Sequence, residues 1–195
     1  MAKLYLVRHA LAREADDLRL PGDDVSLLPA GEAQARLLAD RLRDMGPSAI
    51  YASDARRARQ TAEAIGLACA LPVTVLPALR EIDFGDWAGR TYEAVVAADP
   101  AAAAYFTDPE AMTPPGSEPA RDGARRVLGV LETIGMGPGG VVVGHGGSLR
   151  LALALALGMP LAAAWRLRLD CAHVSVLDWT AAGPLVEVLN DGCHL

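Results

Sequence analysis

No stretch of this chain is both long enough and apolar enough to cross a membrane. The best candidate, Leu149 to Met159, is short and carries Arg150 near its start. The N-terminus lacks a secretory cleavage pattern and runs directly into Arg8-His9, so no signal peptide is expected. C-x-x-C pairs are missing too. Cys69, Cys171 and Cys193 stand apart, and an odd count fits a reduced, cytoplasmic chain better than a disulfide framework. No basic stripe offsets the formal net charge of -6. That speaks against a nucleic-acid partner and means an anionic ligand must be held by local positive charge. The metal-site motif H-E-x-x-H is absent, as are internal repeats and linkers.

What remains is a globular composition. The 195 residues, 52% hydrophobic and 22% charged, suit one domain over residues 1–195 with a sizeable core. Lys3 to Val7 reads as a buried strand that stops at Arg8 and His9. Residues 10–27 form a polar loop turned at Pro21-Gly22 and carrying Arg13 and Arg19. Ala35, Leu38, Ala39 and Leu42 give a helix over Leu28 to Met45, stopped by Gly46-Pro47. Ala49 to Ala52 is a second strand, followed by Ser53-Asp54 as cap and a helix over Arg56 to Ala70. Pro72 to Leu76 is a third strand candidate. The stretch from Leu79 to Gly89 presents Glu81, Asp83 and Asp86 on an extended segment or tight loop. A short helix over Thr91 to Ala98 has Thr91 as its cap. An insertion or lid follows at about 99–118, then a helix over Glu118 to Ile134. Val141 to Val143 is a β-branched run, hence a central strand. It ends at Gly144-His145-Gly146-Gly147, and a helix over Ser148 to Leu157 follows. Trp165–Leu169, His173–Trp179 and Leu185–Leu189 read as further strands. Strands alternating with helices predict an α/β, three-layer α/β/α fold with a mostly parallel central sheet.

Two buried strands each end in a histidine, where open α/β sheets place their ligand sites. Glycines after His145 let backbone approach a ligand, and the next helix aims its N-terminus there. If Arg8, His9, Arg57, Glu81 and His145 converge, the set contains a nucleophile candidate, several cations and one acid. Phosphoryl transfer to histidine needs that combination. A neutral imidazole attacks phosphorus while its other nitrogen gives its proton to a backbone carbonyl. Cations hold the equatorial oxygens, and a carboxylic acid protonates the leaving oxygen, then activates water. No metal and no cofactor is required.

The chain resembles the histidine phosphatase superfamily, the phosphoglycerate mutase-like fold. The resemblance runs from Val7-Arg-His9 through Ser53-Asp-Ala-Arg-Arg-Ala-Arg-Gln-Thr-Ala62 and Leu79-Arg-Glu-Ile-Asp-Phe-Gly-Asp-Trp-Ala-Gly89 to Gly144-His-Gly-Gly147. It implies that His9 is a phosphohistidine nucleophile, that Arg8, Arg57 and His145 form the phosphate pocket, and that Glu81 is the proton donor. Arg57 falls on the family's arginine because Ala58 and then Gln60-Thr61-Ala62 follow it. Arg56 and Arg59 read as a solvated basic face. Gly146 joins the substrate-binding set, with Arg19 and Glu118 as further substrate contacts.

Departures from the family narrow the function. Ala10, Leu11 and Ala12 stand where Gly-Glu-Thr is usual, and Trp87-Ala88-Gly89 replaces Trp-Glu-Gly. Phe84-Gly-Asp-Trp87 and Pro115-Gly-Ser-Glu-Pro119 are most similar to the α-ribazole phosphatase and broad-specificity phosphatase branch. The resemblance therefore implies a metal-independent phosphomonoesterase, with α-ribazole 5'-phosphate among its candidate substrates. The alternatives are a phosphoglycerate-type mutase and a non-catalytic phosphate-ligand binding module. The expected partner is a small phosphorylated substrate, with no nucleic acid and no membrane; a homodimer stays open. His173 is expected in the core or at an edge, and His194 in solvent.

Overall fold

Strand β1 (Ala2–Arg8) lies at the middle of a six-stranded sheet of order β3-β2-β4-β1-β5-β6. The computed structural model describes residues 2–13, 19–22 and 24–195. Strands β2 (Ile50–Ala52), β3 (Val73–Val75) and β4 (Gly140–Gly144) pair in parallel with one another and with β1. Strands β5 (Val174–Thr180) and β6 (Gly183–Asp191) add an antiparallel edge. The sheet is thus mixed and mostly parallel, as the alternating pattern predicts.

Period-two alternation divides the core between the sheet's faces. Tyr5, Val7, Val141 and Val143 meet Leu38, Leu42 and Ile65 on one face. These come from helices α1 (Pro29–Met45) and α2 (Arg56–Cys69). Leu4, Leu6 and Val142 meet Leu131, Leu149 and Leu153 on the other. Those belong to α5 (Ala120–Gly135) and α6 (Gly146–Ala156). Each buried leucine of this kind contributes about 1.5–3 kcal/mol. Helix α1 stops where the sequence indicates, at Gly46, in the left-handed region with φ 62°.

A third apolar cluster decides what happens above the sheet. Helix α3 (Tyr92–Ala98) starts at Thr91, whose hydroxyl accepts from the Ala94 N–H at 3.2 Å, so the expected cap is present. The segment read as an insertion folds into a 3-10 turn over Pro100–Ala102 and helix α4 (Ala103–Thr107). Tyr105 of α4 is 1% exposed and packs with Phe84, Trp87, Leu151 and Leu161. This part of the segment is thereby fixed against α6.

Two local expectations are corrected. Trp165–Leu169 alternates apolar and polar residues but is not a strand. Leu161–Arg166 is a 3-10 turn, and Trp165 and Leu167 pack against the cluster of Tyr105 and Leu151 rather than in the sheet. The cap of α2 is Ala55, with no side-chain bond, rather than Ser53-Asp54. Ser53 is used elsewhere, as described below, and Asp54 pairs with Arg80. Among the described residues no helix is long and apolar enough to cross a membrane.

Candidate active site

Register brings the two strand-end histidines together. In the parallel pairing of β1 with β4, Arg8 lies opposite Gly144, so the next residues, His9 and His145, leave the sheet side by side. The His9 N–H donates to the Gly144 carbonyl at 3.0 Å. The two rings meet edge to face with centroids 5.2 Å apart. Both are buried, at 5% and 1% exposure.

The tautomer of His9 follows from its neighbours. Its Nδ1 lies 2.8 Å from the Ala10 carbonyl, which can only accept, so Nδ1 carries the proton. Nε2 then has its lone pair toward the cavity, where Arg57 Nε donates to it at 3.2 Å. Burial first, then the charges of His145, Arg57 and Arg8, push the His9 pKa well below its ordinary 6.5. Burial first, then Arg57, Arg8 and Arg126, do the same to His145. Both rings are neutral at pH 7. His145 Nε2 pairs with the Ser53 hydroxyl at 2.9 Å, and its buried Nδ1 finds no hydrogen-bond partner among the described residues.

Helix α2 supplies Arg57 from its first turn and also fixes His9 indirectly. Thr61 Oγ1 accepts from the Ala10 N–H at 3.0 Å and donates to the Arg57 carbonyl at 2.8 Å. One hydroxyl thus ties Ala10, the residue whose carbonyl orients His9, to the turn that carries Arg57. The Arg56 side chain points elsewhere, donating to the Ser26 hydroxyl at 3.2 Å, while its backbone N–H donates to Asp24. Arg8 donates from Nη1 to the Leu169 carbonyl at 3.1 Å, and its buried Nε lacks an acceptor among the described residues.

Glu81 sits over the N-terminus of α6. One oxygen accepts from the Gly147 N–H at 2.9 Å, the other from Ser148 at 2.5 Å and Ile82 at 2.9 Å. A carboxylate there complements the helix dipole. A Cβ on residue 147 would lie 2.9 Å from Glu81 Oε1, so only glycine permits this approach. Gly146 is tight as well, with Arg8 Nε 3.2 Å from where its Cβ would stand. Arg126 braces the strand of chain around Glu81. It donates to the carbonyls of Ala78 at 2.8 Å, Arg80 at 3.0 Å and Glu81 at 3.3 Å, and forks onto the Glu118 carboxylate.

Two cavities meet at Arg57 and Glu81. The inner slot, ≈ 240 Å³, is walled by Arg8, His9, Gly146, Arg150 and the aromatic rings of Phe84 and Tyr105. The outer cleft, ≈ 940 Å³, is lined by the buried His145 together with Asp24, Asp54, Arg80, Asp83 and Glu118. The structure therefore gathers Arg8, His9, Arg57, Glu81, His145 and Gly146. Arg19 reaches the slot wall while donating to the Gly89 carbonyl at 2.9 Å. Glu118 lines the cleft, but its carboxylate is engaged by Arg126 and the Asp83 N–H. The sequence reading passed over Ser53, Thr61 and Arg126 as site residues. Ser53 and Thr61 lie within the segment Ser53–Ala62 and Arg126 within the helix expected over Glu118 to Ile134, yet nothing in their spacing shows a bond to a distant residue. His173 lies outside the site, with Nδ1 on the Cys171 carbonyl at 3.0 Å. His194, expected in solvent, instead pairs with Arg41 and the Ala172 carbonyl, at 3.0 and 2.9 Å. Among the described residues no three His, Cys, Asp or Glu side chains are grouped to hold a metal ion.

A neutral, oriented imidazole ringed by arginines at the carboxyl end of a parallel sheet is a site built for an oxyanion such as a phosphoryl group. The chain belongs to the histidine phosphatase superfamily, whose branch 1 model matches residues 4–192. It is 33% identical to a protein of Erwinia tasmaniensis named "Probable phosphoglycerate mutase GpmB", across 100% of this chain and 95% of that one. Among solved structures it resembles YhfR of Bacillus stearothermophilus at TM-score 0.92 and 29% identity, covering 100% of this chain and 99% of that one. A mycobacterial glucosyl-3-phosphoglycerate phosphatase with VO3 gives TM-score 0.87 and 30% identity over 98% of this chain and 100% of that one. The α-ribazole phosphatase of Shigella flexneri gives 0.85 and 28% over 97% and 96%.

Proposed function

We propose that this chain is a metal-independent phosphomonoesterase that works through a phosphohistidine on His9. The observation that carries the reading is the fixed tautomer of His9, with Nδ1–H held by the Ala10 carbonyl and the Nε2 lone pair facing Arg57. In the first step Nε2 attacks phosphorus and the P–O ester bond breaks. The departing oxygen takes its proton from the Glu81 carboxyl group. In the second step water attacks the phosphohistidine, the P–N bond breaks, and Glu81 takes the water's proton. Arg8, Arg57 and the neutral His145 hold the phosphoryl oxygens as charge builds. The Gly147 and Ser148 N–H groups keep the Glu81 carboxylate in place between steps.

The substrate is a small phosphoester. α-Ribazole 5'-phosphate is one candidate, supported by the likeness to the Shigella protein, and a phosphoglycerate ester is another, supported by the mycobacterial one. A cytoplasmic setting suits Cys69, Cys171 and Cys193, which form no disulfide. The relatives named as mutases favour a second reading, in which the phosphoryl group returns to the substrate rather than to water.

The test is phosphate release from a panel of phosphomonoesters by wild type and His9→Ala without added metal. The panel holds 3-phosphoglycerate, sugar phosphates, α-ribazole phosphate and an aryl phosphate. Release that depends on His9, with an acid-labile phosphoprotein trapped on quenching, is the expected result. Release untouched by His9→Ala overturns the assignment. Positional transfer of label without net release favours the mutase.

A further inference from the structure

The loop over residues 167–173, between the 3-10 turn and β5, holds the end of β1 from behind. Its Leu169 carbonyl accepts from Arg8 Nη1 at 3.1 Å. Its Ala172 N–H donates to the Arg8 carbonyl at 3.0 Å and reaches the His9 carbonyl at 3.4 Å. Ala172 is fully buried and sits in the left-handed region, at φ 58°. A residue with a Cβ adopts that backbone only where its surroundings impose it. The loop therefore does not owe its shape to local preference, and contacts from outside must hold it.

The end of β6 and the turn after it supply those contacts. Asn190 is itself left-handed, at φ 57°, a backbone that asparagine tolerates. It bonds Asp170 twice. Its Oδ1 accepts from the Asp170 N–H at 2.6 Å, and its Nδ2 donates to the Asp170 carboxylate at 3.0 Å. The Asn190 N–H donates to the Ser175 hydroxyl at 3.0 Å, which fixes Asn190 to β5. Further along, His194 Nε2 lies 2.9 Å from the Ala172 carbonyl, which can only accept, so this nitrogen carries the proton. His194 Nδ1 then accepts from Arg41 Nη1 at 3.0 Å, and Arg41 is paired with Asp191. Asn190, His194, Asp170 and Ala172 line neither cavity, so they act at a distance from any ligand held there.

We propose that Asn190 and His194 are positioning residues that set the Arg8 guanidinium against the phosphoryl oxygens, acting through Asp170, Ala172 and the loop between them. The inference rests on the phosphomonoesterase reading, in which Arg8 holds those oxygens. The contacts are continuous. Asn190 grips Asp170, whose neighbour Leu169 offers the carbonyl that takes Arg8 Nη1. His194 grips Ala172, whose N–H takes the Arg8 carbonyl. One fastener thus governs the Arg8 side chain and the other its backbone. Losing either lets Ala172 relax out of the left-handed region and shifts Arg8. Arg8 meets the phosphoryl group whatever alcohol leaves, so the loss is the same for every leaving group. A loss through Glu81 would instead depend on how much proton help the leaving group needs.

The experiment reads orthovanadate inhibition, and kcat/KM on an alkyl and an aryl phosphate. Asn190→Gly keeps the left-handed backbone and removes both bonds to Asp170, and His194→Ala removes the bond to Ala172. Each is expected to weaken vanadate binding and to lower kcat/KM about 10-fold, by the same factor on both esters. His194→Gln, whose Nε2 still donates to the Ala172 carbonyl, should stay within about 3-fold of wild type. In an Arg8→Ala background Asn190→Gly should cost less than about 2-fold, because its target is gone. Thr180→Ala is the control. It breaks the bond to the Gly183 carbonyl at the far turn of the same hairpin, and should lower the unfolding free energy without changing vanadate affinity. Vanadate affinity within about 2-fold of wild type in Asn190→Gly and His194→Ala would overturn the proposal. So would an equal loss in Thr180→Ala, a loss confined to the alkyl ester, or an undiminished loss in the Arg8→Ala background. If Asn190→Gly does not fold, Asn190→Asp takes its place: it keeps the acceptor and loses the Nδ2 donor, and the same vanadate loss is expected. If wild type hydrolyses neither ester, the phosphatase reading has failed. The proposal is then judged by calorimetric titration with orthovanadate: weaker binding in Asn190→Gly that disappears as a difference once Arg8 is removed supports it, and unchanged binding, or none in wild type, overturns it.

Discussion

The two cavities that meet at Arg57 and Glu81 are built from opposite materials. The inner slot is walled by arginines, a neutral histidine and aromatic rings, and several buried donor atoms of its lining residues meet no acceptor among the described residues. The outer cleft is lined by acids, two of them already paired: Asp54 with Arg80 and Glu118 with Arg126. Exposed ion pairs contribute little because solvent screens them. The paired acids at the cleft rim are therefore expected to tolerate change better than the buried groups of the slot.

The largest effect should come from the slot's centre. His9→Ala is expected to lower kcat by about 10,000-fold or more on every phosphoester, because the proposed nucleophile is gone. Steady-state phosphate release measures it, and a loss under 10-fold would place the chemistry elsewhere. Next comes the boundary between the cavities. Glu81→Gln should slow alkyl phosphates by about 100- to 10,000-fold but aryl phosphates far less, since an aryl leaving group needs little proton help. Equal losses would remove Glu81 from proton transfer.

Gly147→Ala probes the same carboxylate without altering its chemistry. The added Cβ would stand 2.9 Å from Glu81 Oε1 and force it aside. A displacement of that size should cost roughly 10- to 100-fold on alkyl esters, with a smaller loss on aryl esters. Identical activity on both would show that the Glu81 position is not critical.

Acid should also act through the slot. His9 and His145 are buried with pKa values pushed below 6.5. In the unfolded chain they take up protons as pH falls through about 6.5, whereas the folded protein resists them. Stability from these residues is full above about pH 6.5 and is lost below it. The unfolding free energy from urea titrations should fall more steeply between about pH 6.5 and 5 in wild type than in a His9→Gln, His145→Asn variant. Equal slopes would contradict the buried, neutral state of the pair. The smallest effect belongs to the cleft rim: Arg80→Ala, which breaks an exposed pair with Asp54, should change stability by no more than about 1 kcal/mol. A larger loss would mean the cleft is not the tolerant region it is taken to be.

Particular residues show why some of this was legible in the chain and some was not. Val141–Val143 and Leu4–Val7 declare themselves as central strands by composition, and the histidines after them mark the strand ends. Gly46 and Thr91 act as helix boundaries because capping is a local property. Trp165–Leu169 misleads, since its alternation is that of a strand, whereas in the fold Trp165 and Leu167 pack against the cluster of Tyr105 and Leu151 rather than in the sheet. Ser53 misleads in the same way: its local chemistry suits a cap, and only the fold offers it the imidazole of His145.

By itself the sequence determined the alternation of strands and helices, the positions of the strand-end histidines and the family to which they belong. Each depends on neighbours within a few residues or on a motif carried whole. Only the tertiary structure decided that His9 is neutral with its Nε2 lone pair toward Arg57, that Thr61 and Arg126 brace the chain around His9 and Glu81, and that Arg150, Tyr105 and Trp165 share one slot. Those facts depend on burial and on hydrogen bonds between residues far apart in the chain, such as Ala10 with Thr61. Burial sets the cost of a charge, and it exists only once the chain has closed around it.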